Sequence, residues 1–155
     1  MILGDPHKFA IWFDRVDSWS AQGFDNGCIA FFVGGAMFCS QNSTLNVDLH
    51  LLSKLPSLTA PVEDDRIFHM SLIEAYSELY RRAFPSADSD AKTSDYRDLV
   101  SARSLLDEGH NFFLVESESQ VRLIYGFDGD LSSVFDMILE REAFCCVIRE
   151  ATSVI

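Results

Sequence analysis

The chain has 155 residues, long enough for one domain spanning 1–155 with a sizeable core, and 48% of them are hydrophobic, 13 being Phe, which excludes a disordered chain. Twelve Lys and Arg against 24 Asp and Glu leave a formal charge of −12. Nucleic acid and anionic membrane surfaces should repel such a chain, and basic partners should be drawn to it.

No run approaches the roughly 20 apolar residues of a membrane span. Asp5 and Lys8 interrupt the start, so no leader is expected and the chain reads as cytosolic. Gly4-Asp5-Pro6 forms a turn that leads into 9–13, a continuous apolar run predicted to be a strand covered on both faces. Trp19 is expected in the core. Asp25-Asn26-Gly27 signals a turn, residues 28–33 a strand, Gly34-Gly35 a tight turn and 36–39 the return strand. Asn42-Ser43 marks another turn. Leu45, Val47, Leu49 and Leu51 then alternate with Asn46, Asp48 and His50. That is the cleanest period of two in the chain, and it predicts a strand with one dry face. The first fifty residues should thus form a four-stranded antiparallel meander.

Pro56 and Pro61 place 54–63 in a loop. Asp64 or Asp65 can cap a helix in which Leu72, Ala75, Tyr76, Leu79 and Ala83 keep helical spacing, ending before Pro85. Residues 86–94 form a polar link. Thr93, Ser94 or Asp95 then caps a second helix through Tyr96, Leu99, Val100, Ala102, Leu105 and Leu106, closed by Gly109. A strand at 112–115, a polar turn at 116–119, a strand carrying Val121, Leu123, Tyr125 and Phe127, and a turn at 128–130 follow. Residues 131–140 suit a helix through Leu131, Val134, Phe135, Ile138 and Leu139, and equally a strand through Phe135, Met137 and Leu139.

No catalytic motif stands out: GxGxxG, P-loop, GxSxG and HExxH are all missing. Cys28, Cys39, Cys145 and Cys146 lack zinc spacing and are read as free thiols, with Cys28 and Cys39 diagonal on one face of the hairpin. Cys145 and Cys146 would point about 100° apart on a helix, poorly placed to share an ion. His7, His50, His69 and His110 are scattered. Glu63-Asp64-Asp65 suits a helix start. Asp128-Gly129-Asp130 lacks the other ligands of a calcium loop and reads as a hairpin turn. No metal, cofactor or catalytic residue is therefore expected, since an enzyme would need Asp48, His50 and Glu116 to converge.

The late carboxylates are more suggestive. Glu116, Glu118, Asp128, Asp130, Asp136, Glu140 and Glu142 face only Arg122 and Arg141 across that interval. Brought together, they would make a negative rim for a cationic cleft; otherwise they are a solvated edge that discourages stray strand pairing. The candidate partner-binding residues are Asp48, His50, Glu116, Glu118, Asp128 and Asp130.

Gly4-Asp5-Pro6, Phe9-Ala10-Ile11, Asp14, Val16, Trp19 and Asn26-Gly27, with Arg122-Leu123-Ile124, Phe144, Val147-Ile148 and Glu150-Ala151 near the end, carry a resemblance. The whole chain resembles the immunity protein 42 family of bacterial polymorphic toxin systems. The resemblance implies a strand at 133–139 and a closing helix at 141–153. The fold class is then α+β: an antiparallel sheet of about six to seven strands with about three helices against it. It also implies a cytosolic inhibitor that binds a cognate toxin domain and blocks it sterically and electrostatically. The acidic balance suits a basic toxin such as a nuclease. The alternative is a general interaction or small-ligand module, marked by a concave apolar pocket. A homodimer is a further expectation.

Overall fold

The computed structural model describes residues 1–91 and 93–154. Four strands, β1 (Ile2–Gly4), β2 (Phe9–Arg15), β3 (Asn26–Val33) and β4 (Ala36–Thr44), form an antiparallel sheet in that order. Three more, β5 (His110–Ser117), β6 (Gln120–Phe127) and β7 (Asp130–Glu140), form a second antiparallel sheet, also in chain order. Between the sheets in sequence come α1 (Leu45–Leu52), α2 (Asp65–Phe68), α3 (Leu72–Ala83) and α4 (Arg103–Asp107); α5 (Arg141–Thr152) closes the chain. The fold is α+β, and the expected sheet of about six to seven strands is, among the described residues, two antiparallel sheets of four and three strands.

Gly34 and Gly35 sit at φ +59° and +87° between Val33 and Ala36. Left-handed backbone at both positions suits a two-residue hairpin, whose twist matches its strands. Cys39 lies opposite Ala30, diagonal to Cys28 as expected, and both thiols are free. Burial raises the Cys39 thiol pKa, with Cys28 and Glu108 adding to the effect.

The hydrophobic interior has two parts. In the larger, Phe9, Ile11, Ile29 and Phe31 of the first sheet meet Phe112, Leu114 and Leu123 of the second, with Phe144 and Ile148 of α5 and Leu49 of α1. Ring contacts join the layers, Phe31 to Phe112 at 5.1 Å and Phe9 to Phe144 at 4.8 Å between centroids. The smaller part lies on the opposite face of the second sheet, where Phe113, Val115 and Ile124 pack on Ile67 of α2 and Tyr76 and Leu79 of α3. Strands β5 and β6 are thus covered on both faces, and their sequences read as near-continuous apolar runs for that reason. Gly126 permits the tight approach of α3, since a side chain there would collide with the Tyr76 ring.

Several expectations give way to tertiary context. Residues 45–52 form α1 instead of a strand, and the strand that completes the first sheet is β1. Asn42 and Ser43 continue β4 instead of turning. Residues 96–102 are not helical: Leu99 bridges Phe113, Val100 N–H donates to the Phe112 carbonyl, and Leu114 N–H donates to the Asp98 carbonyl. This strap covers the outer edge of β5, so the second helix shrinks to α4. Trp19 is exposed (51%), its carbonyl accepting from the Asn26 side chain. Glu116 and Ser117 extend β5, which leaves Glu118 and Ser119 as the turn. The strand at β7 and the helix at α5 stand as the resemblance implied.

Candidate functional site

The six candidate residues fall into three settings. Asp48 and Glu116 are internal, each 1% exposed. Asp48 projects from α1 toward the start of α4, where the Ala102 cap position has no side chain able to accept. Its Oδ1 accepts from the Ser104 backbone N–H at 3.0 Å, and its Oδ2 accepts from the hydroxyls of Ser43 and Ser104 at 2.5 and 2.7 Å. A carboxylate at a helix start satisfies free N–H groups and complements the positive end of the helix. Glu116 lies under Arg141, whose Nε is 3.0 Å from Oε1; the same guanidinium donates to the Ser57 carbonyl. The two carboxylates share no partner, and His50 is on the exposed side of α1 beside Asn46, Val47 and Leu51. The contacts that surround Asp48 and Glu116 hold neighbouring elements together and present neither carboxylate to a partner.

Glu118 and Asp128 are exposed turn residues, and Asp130 is the exposed first residue of β7. Glu118 and Asp128 hold positive φ, +56° and +46°, a region that acidic and amide residues enter more readily than most. They flank opposite ends of β6, roughly 23 Å apart at about 3.3 Å per residue, so the late acids do not gather into one rim. Asp130 accepts from the Ser132 hydroxyl and backbone N–H, which holds its carboxyl below the usual range. Asp136 is paired with the buried Arg122, and Glu142 with Arg149. Arg122 also donates to the carbonyls of Ile67, Phe68 and Met70, closing the end of α2. Among the described residues, no cation lies within ion-pair distance of Glu118, Asp128, Asp130 or Glu140.

Beside Asp128 the surface opens into a cavity of about 410 Å³ between α3, the 96–100 strap and α4. Tyr80 of α3, Phe84 just past its end and Tyr96 of the strap wall it, and Asn111 of β5, 2% exposed, lines it from below. None of these four residues was singled out in the sequence. Tyr80 and Phe84 fall outside the apolar stripe of Leu72, Ala75, Tyr76, Leu79 and Ala83 that marks the helix, and Tyr96 carries a helical pattern that does not form. A second, more apolar groove of about 600 Å³ runs between the β1–β2 turn, β7 and α5, lined by Phe9, Met137, Leu139 and Val147 with Asp5, Lys8, Glu140 and Glu150 at its rim. Among the described residues no cluster of three metal-binding side chains occurs, and no helix is long and apolar enough to cross a membrane.

Comparison with known proteins gives this surface a context. The crystal structure of CdiI from Burkholderia dolosa AUO158 superposes with a TM-score of 0.95, at 47% sequence identity, with both chains covered completely. No curated protein matches the chain. The family model described as immunity protein 42 matches residues 1–154. The chain belongs to the immunity protein 42 family.

Proposed function

We propose that this chain binds a cognate toxin domain in the bacterial cytosol and neutralises it by steric and electrostatic blocking, without making or breaking a covalent bond. The observation that carries the reading is the end-to-end correspondence with an immunity protein structure, at an identity high enough for surface as well as fold to be compared. The site geometry agrees with it. The groups an enzyme would have used are kept apart, Asp48 under Ser104, Glu116 under Arg141 and His50 at the surface. The carboxylates with no cation partner among the described residues lie on exposed turns and strand ends, where charge acts on an approaching partner at long range. A formal charge of −12 suits a basic toxin, and a nuclease would carry such a surface because it must hold phosphates.

The test is to purify the chain with the toxin domain encoded beside it and titrate the toxin's activity. The expected result is complete inhibition at one equivalent, with the chain recovered unmodified. Full toxin activity in the presence of excess chain, or inhibition that continues catalytically at sub-stoichiometric chain, overturns the reading.

A further inference from the structure

We infer that the cavity between α3 and α4 is the receptor for a basic side chain, an arginine, carried by the toxin. The inference rests on the reading above and names the chemistry of one contact within it. Three kinds of group converge there, and each is complementary to a guanidinium. The walls are aromatic: Tyr80 and Phe84 have centroids 5.0 Å apart and Phe84 and Tyr96 6.2 Å apart, with Tyr96 54% exposed at the mouth. Ring faces attract cations, and the planar guanidinium stacks on them with less desolvation than an ammonium. The floor supplies an acceptor. Asn111 is almost wholly buried, and its Nδ2 donates to the Tyr76 hydroxyl at 3.2 Å. Asn111 lines the cavity, and its side-chain oxygen accepts no hydrogen bond from the described residues, which leaves it free for a donor.

The rim supplies the charge. Asp128 is fixed before any partner arrives: its backbone N–H donates to the Gly109 carbonyl at 3.0 Å. Its carboxylate lies so close over Gly109 that a Cβ there would be 2.8 Å from it. Among the described residues no cation lies within ion-pair distance of it. Asp107, also at the rim, is paired with Arg103 at 2.9 Å, and both side chains are more than half exposed. Among the described residues, that pair leaves the mouth with one uncompensated negative charge. An anionic ligand would face two carboxylates against one guanidinium, that of Arg103, which also lines the cavity and is held by Asp107, and an apolar side chain would strip water from Asp128 and Asn111 without replacing it. A guanidinium satisfies the rings, the amide oxygen and the carboxylate together.

The experiment uses the full chain and two variants that act on different walls. Asp128→Asn removes the charge with a residue that tolerates positive φ, and Tyr96→Ala removes an exposed ring. Glu74→Gln, an exposed acid on the first turn of α3, is the control for net charge. Binding to the neighbouring toxin domain should weaken by about tenfold or more in each cavity variant, mostly through faster dissociation, and change less than about twofold in the control. If the parent chain binds this toxin and both cavity variants bind it equally well, the cavity assignment is overturned while toxin binding stands. If the parent chain binds no neighbouring toxin, the functional reading fails, and NMR titration with N-acetyl-arginine methylamide decides the cavity on its own. Shifts of the Asn111 side-chain amide and of Asp128 that the uncharged citrulline analogue does not produce support the assignment. Equal shifts with both compounds, or none with either, overturn it.

Discussion

Two aspartates bracket α4, and they behave oppositely. At its start, Asp48 is sealed from water and accepts three hydrogen bonds from Ser43 and Ser104. Past its end, Asp128 hangs over Gly109 in solvent, with its backbone anchored and its carboxylate uncommitted. One joins α1, β4 and α4 into a unit; the other is held in place but leaves its charge for something outside the chain. The contrast extends to the whole acidic set. Glu116 and Asp136 are consumed by Arg141 and Arg122, whereas Glu118, Asp130 and Glu140 have no cation partner among the described residues. A net charge of −12 is therefore not one property. Part of it stabilises the fold and part of it is a surface, and sequence position does not say which.

Substitutions sharpen that division. Arg141→Ala should have the largest effect on stability, because it leaves the Glu116 carboxylate buried without a countercharge; a loss of about 3–5 kcal/mol in urea unfolding is expected. A loss below about 1 kcal/mol would mean that water reaches Glu116 when the guanidinium is gone. Asp48→Ala comes next. Ser43 and Ser104 lose their acceptor, and the start of α4 loses its cap, for about 2–3 kcal/mol in the same assay.

Asp98 provides a pH-dependent case. Burial pushes its carboxyl up to about 6, against the pull of Arg82, 3.8 Å away, and of Arg97. A folded pKa above the unfolded value means that the folded chain binds the extra proton between the two. The destabilisation from Asp98 is accordingly absent below the unfolded value of 3.8, grows through the window and is complete above about 6. Asp98→Asn, neutral throughout, should gain roughly 2 kcal/mol on the parent as pH rises from about 4 to about 7. A stability difference that stays level across the window would contradict this. Asp128→Asn belongs at the far end of the scale, with stability changed by less than about 0.5 kcal/mol. A larger loss would move Asp128 into the structural class beside Asp48.

Local pattern read the strongly constrained parts of this fold correctly and failed where a single internal contact decided the outcome. The β3–β4 hairpin was legible because Gly34-Gly35 suits only a narrow set of turns, and α3 because its apolar positions recur at helical spacing up to Pro85. Residues 45–52 misled for a specific reason. The buried positions of α1 are Leu45, Asp48, Leu49 and Leu52, a helical stripe with a carboxylate as one member. Counted as polar, Asp48 breaks that stripe and leaves the alternation of leucines and Val47 as the visible signal. Only its partners, Ser43 and Ser104, explain why an aspartate belongs on the inner face. The strap at 96–100 misled in the same way: its apolar residues suit a helix, and pairing with β5 across the chain prevails. The candidate site was legible only in Asp128, since a cavity assembled from α3, the strap and β5 has no signature along the chain.

The central claim is that the uncommitted carboxylates act on the toxin through the field around them. The most direct measurement is the association rate of the chain with its toxin domain as salt rises from about 0.02 to about 0.5 M, where screening shortens from tens of ångströms to a few. The account predicts a fall of about tenfold or more in association with dissociation little changed. An association rate that stays constant across the series would contradict it.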